Sequence, residues 1–385
     1  MATGEDTSPP VASGPPQDVT VPPILEPAKS SPGQIMVRGA LVFLLLFLIF
    51  GVIIPNFVDY SDVWDALTSL EPAAIVLLAV LAMTVEGCKA GSYAVLTTGL
   101  GFRWAFVAQE SAVVVSNTVP GPSGTAARYV TYRKFGVTAE DFGRSYVVNA
   151  MWSNAAPLIL PVFAVLLLST QQEVPRNVII LALIGLAVSL VALALAITVM
   201  RSEHYAYRIG EWFGRLLNWG RGLVRRPPEE EVGQAVVRFR FEALDSVRDH
   251  WAALTGLVLL RELSSFLALL TSLRALGVDS DVLTFFEVFA VYAVVRLATM
   301  VEITPGGVGI TESLYIAALL VASDGQDKPA IVAAVFVFRM FTYLLPIIVG
   351  GGCSLILARH FRRAKLAASP ENRSDTDAPE TVRSS

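Results

Sequence analysis

Apolar runs long enough to cross a bilayer recur along this chain, and they limit its fold more than any other feature. A hydrocarbon core roughly 30 Å thick needs about 20 apolar residues of helix. The runs open at Ala40 to Asn56 and continue with Pro72 to Thr98, Tyr146 to Leu168 and Asn177 to Met200. After a polar stretch they resume at Trp251 to Leu276, Val282 to Met300, Ile310 to Ala322 and Ala330 to Leu357. Two further pieces, Trp104 to Val119 and Gly124 to Phe135, are short. The pattern predicts an all-α, polytopic membrane helical bundle.

Charge agrees. Charged residues make up 16% of the chain, against about 25% in soluble domains. The net charge of −4 says little, because in membrane proteins placement outweighs the sum. Cys88 and Cys353 both lie in apolar runs, and His204, His250 and His360 are scattered outside them. No disulfide framework, metal site or other cofactor is expected. Nothing suggests nucleic acid as a partner.

Five parts follow. Residues 1–34 are rich in Pro, Ser and Thr and are expected to form a disordered cytoplasmic tail. Residues 35–200 form a first transmembrane half, 201–250 a basic connector, 251–358 a second half and 359–385 another tail. Basic residues mark cytoplasmic loops. The connector carries nine arginines from Arg201 to Arg248, and the chain after the last span carries Arg359, Arg362, Arg363 and Lys365. The loop after the first run carries Asp59, Asp62, Asp65 and Glu71 and is placed outside. Interleaved Trp212, Phe213, Leu217 and Trp219 suit the connector either to the face of anionic lipid or to a solvated link.

Counting crossings on this basis makes Trp104 to Phe135 enter and leave on the cytoplasmic side, as a hairpin broken near Pro120. The same count makes Val282 to Ala322 a second hairpin, entered from outside. The breaks look alike: Pro120-Gly121-Pro122-Ser123-Gly124-Thr125 and Pro305-Gly306-Gly307-Val308-Gly309-Ile310. Either alone reads equally well as a packing kink. Paired interrupted helices in two inverted halves point instead to a transport site near the bilayer midplane.

Ionisable residues inside apolar spans cost about 2.5 to 3.5 kcal/mol each on insertion scales. Glu86, Lys89, Glu110, Arg261, Glu262, Glu287, Arg296, Glu302, Glu312 and Arg339 are such residues. Glu86 and Lys89 stand three apart and are expected to form a structural ion pair. Arg261 and Glu262 are adjacent, point to different sides of a helix and are expected to need other partners. Arg128, Arg296 and Arg339 are candidates for holding an anionic head group while carboxylates balance charge or relay protons. The competing reading is a set of buried pairs that fix helix register, or chains that snorkel to the interface.

The run Thr304-Pro305-Gly306-Gly307-Val308-Gly309-Ile310-Thr311-Glu312-Ser313, followed by Phe338-Arg339-Met340-Phe341-Thr342-Tyr343-Leu344-Leu345-Pro346 and Gly350, resembles the flippase-like transmembrane region of lysylphosphatidylglycerol synthases. Asn117, Pro120, Gly121, Gly124 and Arg128 match the other pattern of that family. The resemblance spans roughly Ala40 to Leu357. Thr125 stands where the family usually has glutamate, and Asn149-Ala150 where it has a glutamate-arginine pair. The resemblance implies a bundle with re-entrant hairpins that moves lipids or lipid-linked molecules between leaflets. Residues from both breaks would form the site: Asn117, Pro120, Gly121, Gly124, Arg128, Arg296, Pro305, Gly306, Gly307, Gly309, Glu312, Arg339 and Tyr343. No segment outside the spans is long enough for an aminoacyl-transferase domain, so no enzyme activity is expected.

Three functions stay open on the sequence. The first is transport of an amphiphile with a charged, anionic head group in the bacterial inner membrane, both termini cytoplasmic. No nucleotide-binding loop occurs, so a gradient, the membrane potential or downhill flow would drive it. The second is a non-transporting subunit that scaffolds an envelope-assembly complex with envelope-biosynthesis proteins as partners. The third is a glycosyltransferase using a lipid-phosphate sugar, with Asp59, Asp62 or Asp65 as base or metal ligand.

Overall fold

The computed structural model describes residues 68–118, 123–171, 175–201, 211, 232–300 and 304–367. Among these the regular elements are all helical. In chain order they are α1 (Pro72–Leu96), α2 (Phe102–Thr118), α3 (Ser123–Lys134), α4 (Ala139–Leu168), α5 (Arg176–Arg201), α6 (Val232–Ala275) and α7 (Phe285–Ala298). A 3₁₀ turn at Pro305–Gly307 leads to α8 (Ile310–Ala322) and α9 (Lys328–Arg339). A π-helical turn at Met340–Leu344 joins α9 to α10 (Leu345–Ala367). The expected N-terminal tail, the run Ala40 to Asn56 and most of the connector lie outside the described residues.

Among the described residues, four stretches are long and apolar enough to cross a membrane: Pro72–Leu96, Ala139–Leu168, Asp249–Ala275 and Lys328–Arg363. Their outward surfaces carry exposed apolar side chains such as Val80, Phe163, Leu259, Ile348 and Leu355. Water would penalise such contiguous exposure, whereas lipid tails do not. By contrast α2, α3, α7 and α8 have 17, 12, 14 and 13 residues, each short of a full crossing.

Polar caps start two of the elements. Thr138 accepts the Asp141 N–H at 3.0 Å to begin α4. At α7, Thr284 and Glu287 form a reciprocal capping box. Helix α6 is continuous from Val232 through the apolar stretch, 44 residues in all, so residues 232–250 of the connector extend a span as helix. The π turn precedes Pro346, whose ring nitrogen has no proton to donate to the Thr342 carbonyl; the local helix widens there.

Among the described residues, the two larger apolar clusters hold the bundle. One gathers Leu78 from the start of α1, Leu168 from the end of α4, Val178 from the start of α5 and Leu273 from the end of α6, with α7, α8 and α9. The other gathers Tyr93 from the end of α1, Phe142 from the start of α4 and Leu357 from α10, with α2 and α3. The α2–α3 pair and the α7–α8 pair therefore pack at opposite ends of the long helices.

Candidate functional site

The first break joins α2 to α3. Val119 to Pro122, and hence Pro120 and Gly121, fall outside the described residues. The flanks show how closely the two helices approach: a Cβ on Gly124 would sit 2.5 Å from that of Ser116 and 3.1 Å from the Ala112 carbonyl. Ser123 Oγ donates to the Val115 carbonyl at 3.3 Å.

The second break is a tight turn. Gly306 (φ 59°) and Gly309 (φ 83°) take left-handed conformations that a β-carbon resists. The Gly307 N–H donates to the Thr304 carbonyl at 2.9 Å. Glu312 reaches back to accept the Gly309 N–H at 2.7 Å. Arg339 then ties the turn to α9, donating from Nε to Glu312 Oε1 at 2.6 Å and from Nη2 to the Gly306 carbonyl at 2.9 Å. Its guanidinium lies over the Tyr343 ring, 4.9 Å from the centroid.

The flank of the first break meets the second turn. Tyr343 Oη donates to the Asn117 carbonyl at 3.2 Å. A β-carbon on Gly306 would strike the Tyr343 ring and lie 3.0 Å from Asn117 Oδ1. Beside this contact is a cavity of about 430 Å³, large enough for a polar head group. Its walls come from the middle of the long helices: Glu86 and Lys89 on α1, Asn149 and Ser153 on α4, Arg261 and Glu262 on α6, and Tyr343 and Pro346 beyond α9. Gln109 and Asn117 of α2, Arg128 of α3, Arg296 of α7 and Arg339 of α9 also line it.

The family model described as the lysylphosphatidylglycerol synthase TM region matches residues 35–350. The chain belongs to this family. Membership and the membrane-length helices make it a multi-pass membrane protein and point to a membrane lipid-related function. No curated protein matches the chain.

In this member of the synthase TM family, each cation on the cavity wall except one has a described carboxylate partner. Lys89 pairs with Glu86 at 2.7 Å, as the three-residue spacing predicts. Arg339 pairs with Glu312. Arg296 holds Glu262 with two hydrogen bonds, at 3.0 and 3.1 Å. The exception is Arg128: among the described residues it forms no ion pair, its Nη1 donates to the Tyr93 hydroxyl at 2.7 Å, and its guanidinium lies 4.5 Å from the centroid of that ring. Its Nε is buried and has no described acceptor.

One expectation is corrected. Arg261 and Glu262 do not point apart: Arg261 Nη2 lies 2.7 Å from Glu262 Oε1, and the same nitrogen donates to the Ser153 carbonyl at 3.0 Å. Adjacent helix positions diverge at Cβ, but the guanidinium is long enough to curl back to the next carboxylate. Two arginines thus converge on Glu262, and Tyr292 Oη donates to Oε2, which also accepts from Arg296 Nε, at 2.7 Å.

The remaining candidates fall elsewhere. Glu287 accepts the Thr284 N–H at 2.7 Å and serves as a helix cap. Glu302, Asp59, Asp62 and Asp65 lie outside the described residues. Sequence reasoning missed Tyr93, Gln109 and Tyr292 as site residues, since uncharged polar groups in an apolar run stand out weakly. It flagged Glu262 only as an intramembrane charge, and Asn149 only as a departure from the family pattern.

Proposed function

We propose that the chain moves a lipid or lipid-linked amphiphile with an anionic head group between the leaflets of a bacterial inner membrane. The two hairpin-bearing halves are inverted relative to each other, each hairpin is re-entrant, and their rearrangement opens the cavity alternately to either face. The observation that carries this reading is the charge of the cavity. Lys89, Arg128, Arg261, Arg296 and Arg339 line it, and only Glu86, Glu262 and Glu312 pair with them among the described residues. A phosphate-bearing head group would supply the missing negative charge, with Arg128 as the first cation it meets. The packing of the two hairpins at opposite ends of the bundle supports alternating access.

The test is reconstitution of purified protein into vesicles carrying a fluorescent phosphatidylglycerol, with a membrane-impermeant quencher reporting leaflet exchange. Protein-dependent exchange is expected, with little for a phosphatidylcholine probe and with loss in Arg128→Ala. The scaffold reading draws support from the buried pairs Arg296–Glu262 and Arg339–Glu312, which tie helices together whether or not anything is transported. Exchange no faster than in protein-free vesicles, from protein that is folded, would favour that reading.

A further inference from the structure

Glu110 on α2 is fully buried, and neither of its carboxylate oxygens has a hydrogen-bond donor among the described residues. Glu86 on α1 is also buried; Oε1 accepts from Lys89 Nζ at 2.7 Å while Oε2 has no donor. Helices α1 and α2 pack against each other, and the two carboxyl groups interact electrostatically across that contact. Two carboxylates in contact away from water repel strongly, and both cannot stay ionised. One proton between them turns the repulsion into a hydrogen bond and supplies the donor that both lack.

The charged neighbours decide what that proton does. Lys89 from α1 and Arg128 from α3 face Glu110, and Cys353 faces it from α10. Gly350 of α10 lies so close to the Glu110 carbonyl that a β-carbon there would collide with it. Lys89 and Arg128 are also cavity-lining cations. When Glu110 is ionised it competes with any cavity anion for these two cations. When the pair holds a proton, its remaining negative charge balances Lys89, and the charge of Arg128 is free to act on the cavity.

We infer that Glu86 and Glu110 hold a single proton between them, and that this proton and an anionic head group bind the cavity cooperatively. The inference rests on the anion-site reading above and extends it: protonation tightens anion binding, and by reciprocity the anion tightens proton binding. A proton gradient then drives the head group in the direction in which protons flow.

Two measurements on the full chain in nanodiscs test this. Infrared difference spectroscopy at neutral pH is expected to show a protonated carboxyl band that disappears in Glu110→Gln. Calorimetric titration with short-chain phosphatidylglycerol is expected to show affinity weakening as pH rises, approaching about tenfold per pH unit, the limit for one linked proton. Glu110→Gln, a neutral side chain of the same shape, is expected to bind tightly with that slope abolished, and Glu86→Gln to flatten it too. A wild type without the band, or a Glu110→Gln protein that keeps the wild-type slope, overturns the inference. Absence of anion binding by the wild type at every pH sinks the anion-site reading and the coupling with it, while the infrared band reports separately on the shared proton.

Discussion

The Tyr343 hydroxyl donates to the main-chain carbonyl of Asn117 across 3.2 Å, joining residues 226 positions apart in the chain. Asn117 closes α2 just before the first break, and Tyr343 stacks beneath the Arg339 guanidinium that anchors the second. This hydrogen bond links the end of α2 to the π-helical turn beside the cavity.

Tyr343→Phe keeps the ring over Arg339 and removes only this hydroxyl. The loss of one net hydrogen bond costs about 1 kcal/mol. A lowering of the unfolding midpoint by a few degrees is expected in detergent, with helix content unchanged by circular dichroism. An unchanged midpoint would mean that the link does not bear on stability.

Gly306→Ala combines a left-handed φ of 59° with a collision against the Tyr343 ring. The backbone term alone is about 1 to 2 kcal/mol, and the collision adds displacement of Tyr343 from Asn117. Lipid exchange is expected to fall sharply in reconstituted vesicles. Gly351→Ala, where a β-carbon meets open space, is expected to behave as wild type in the same assay.

Glu262→Ala leaves Arg261 and Arg296 facing each other with no carboxylate between them. Breaking a buried pair by removing one partner costs about 3 to 5 kcal/mol. The single variant is expected to unfold well below wild type on a thermal scan. Adding Arg296→Ala is expected to recover part of that loss, since the uncompensated charge goes with it. A double variant less stable than the sum of the singles would contradict this account of the cluster.

Arg128→Ala and Arg339→Ala separate binding from architecture. Arg339 holds Glu312 and the Gly306 carbonyl, so its loss is expected to lower both the unfolding midpoint and transport. Arg128 gives its described hydrogen bond to the Tyr93 hydroxyl. Its loss is expected to abolish exchange of an anionic lipid while the unfolding midpoint moves by less than that of Arg339→Ala.

Much of this arrangement can be read from residues, and what cannot is informative. Pro305-Gly306-Gly307 marks the second turn because proline and two left-handed glycines stop a helix whatever surrounds them. The Glu86–Lys89 pair is visible because a three-residue spacing is a property of one helix. The burial of Glu110 without a donor depends on packing between helices, and no spacing within α2 reveals it. Arg261–Glu262 is hidden by the reach of a guanidinium, which overrides the divergence of adjacent Cα–Cβ bonds. The extension of α6 back to Val232 is hidden because residues 232–250 form no apolar run, although no proline between Val232 and Ala275 interrupts a helix.

The central claim is that the two hairpins enter the bilayer from opposite faces and meet at its middle. Single-cysteine labelling with a membrane-impermeant reagent tests it most directly, because Cys88 and Cys353 are both buried and can be replaced. Glu140→Cys, exposed just past the first hairpin, and Gln326→Cys, exposed just past the second, are the informative sites. In intact cells position 326 is expected to be labelled, and position 140 only after the membrane is permeabilised. Labelling of both positions from the same face would contradict it.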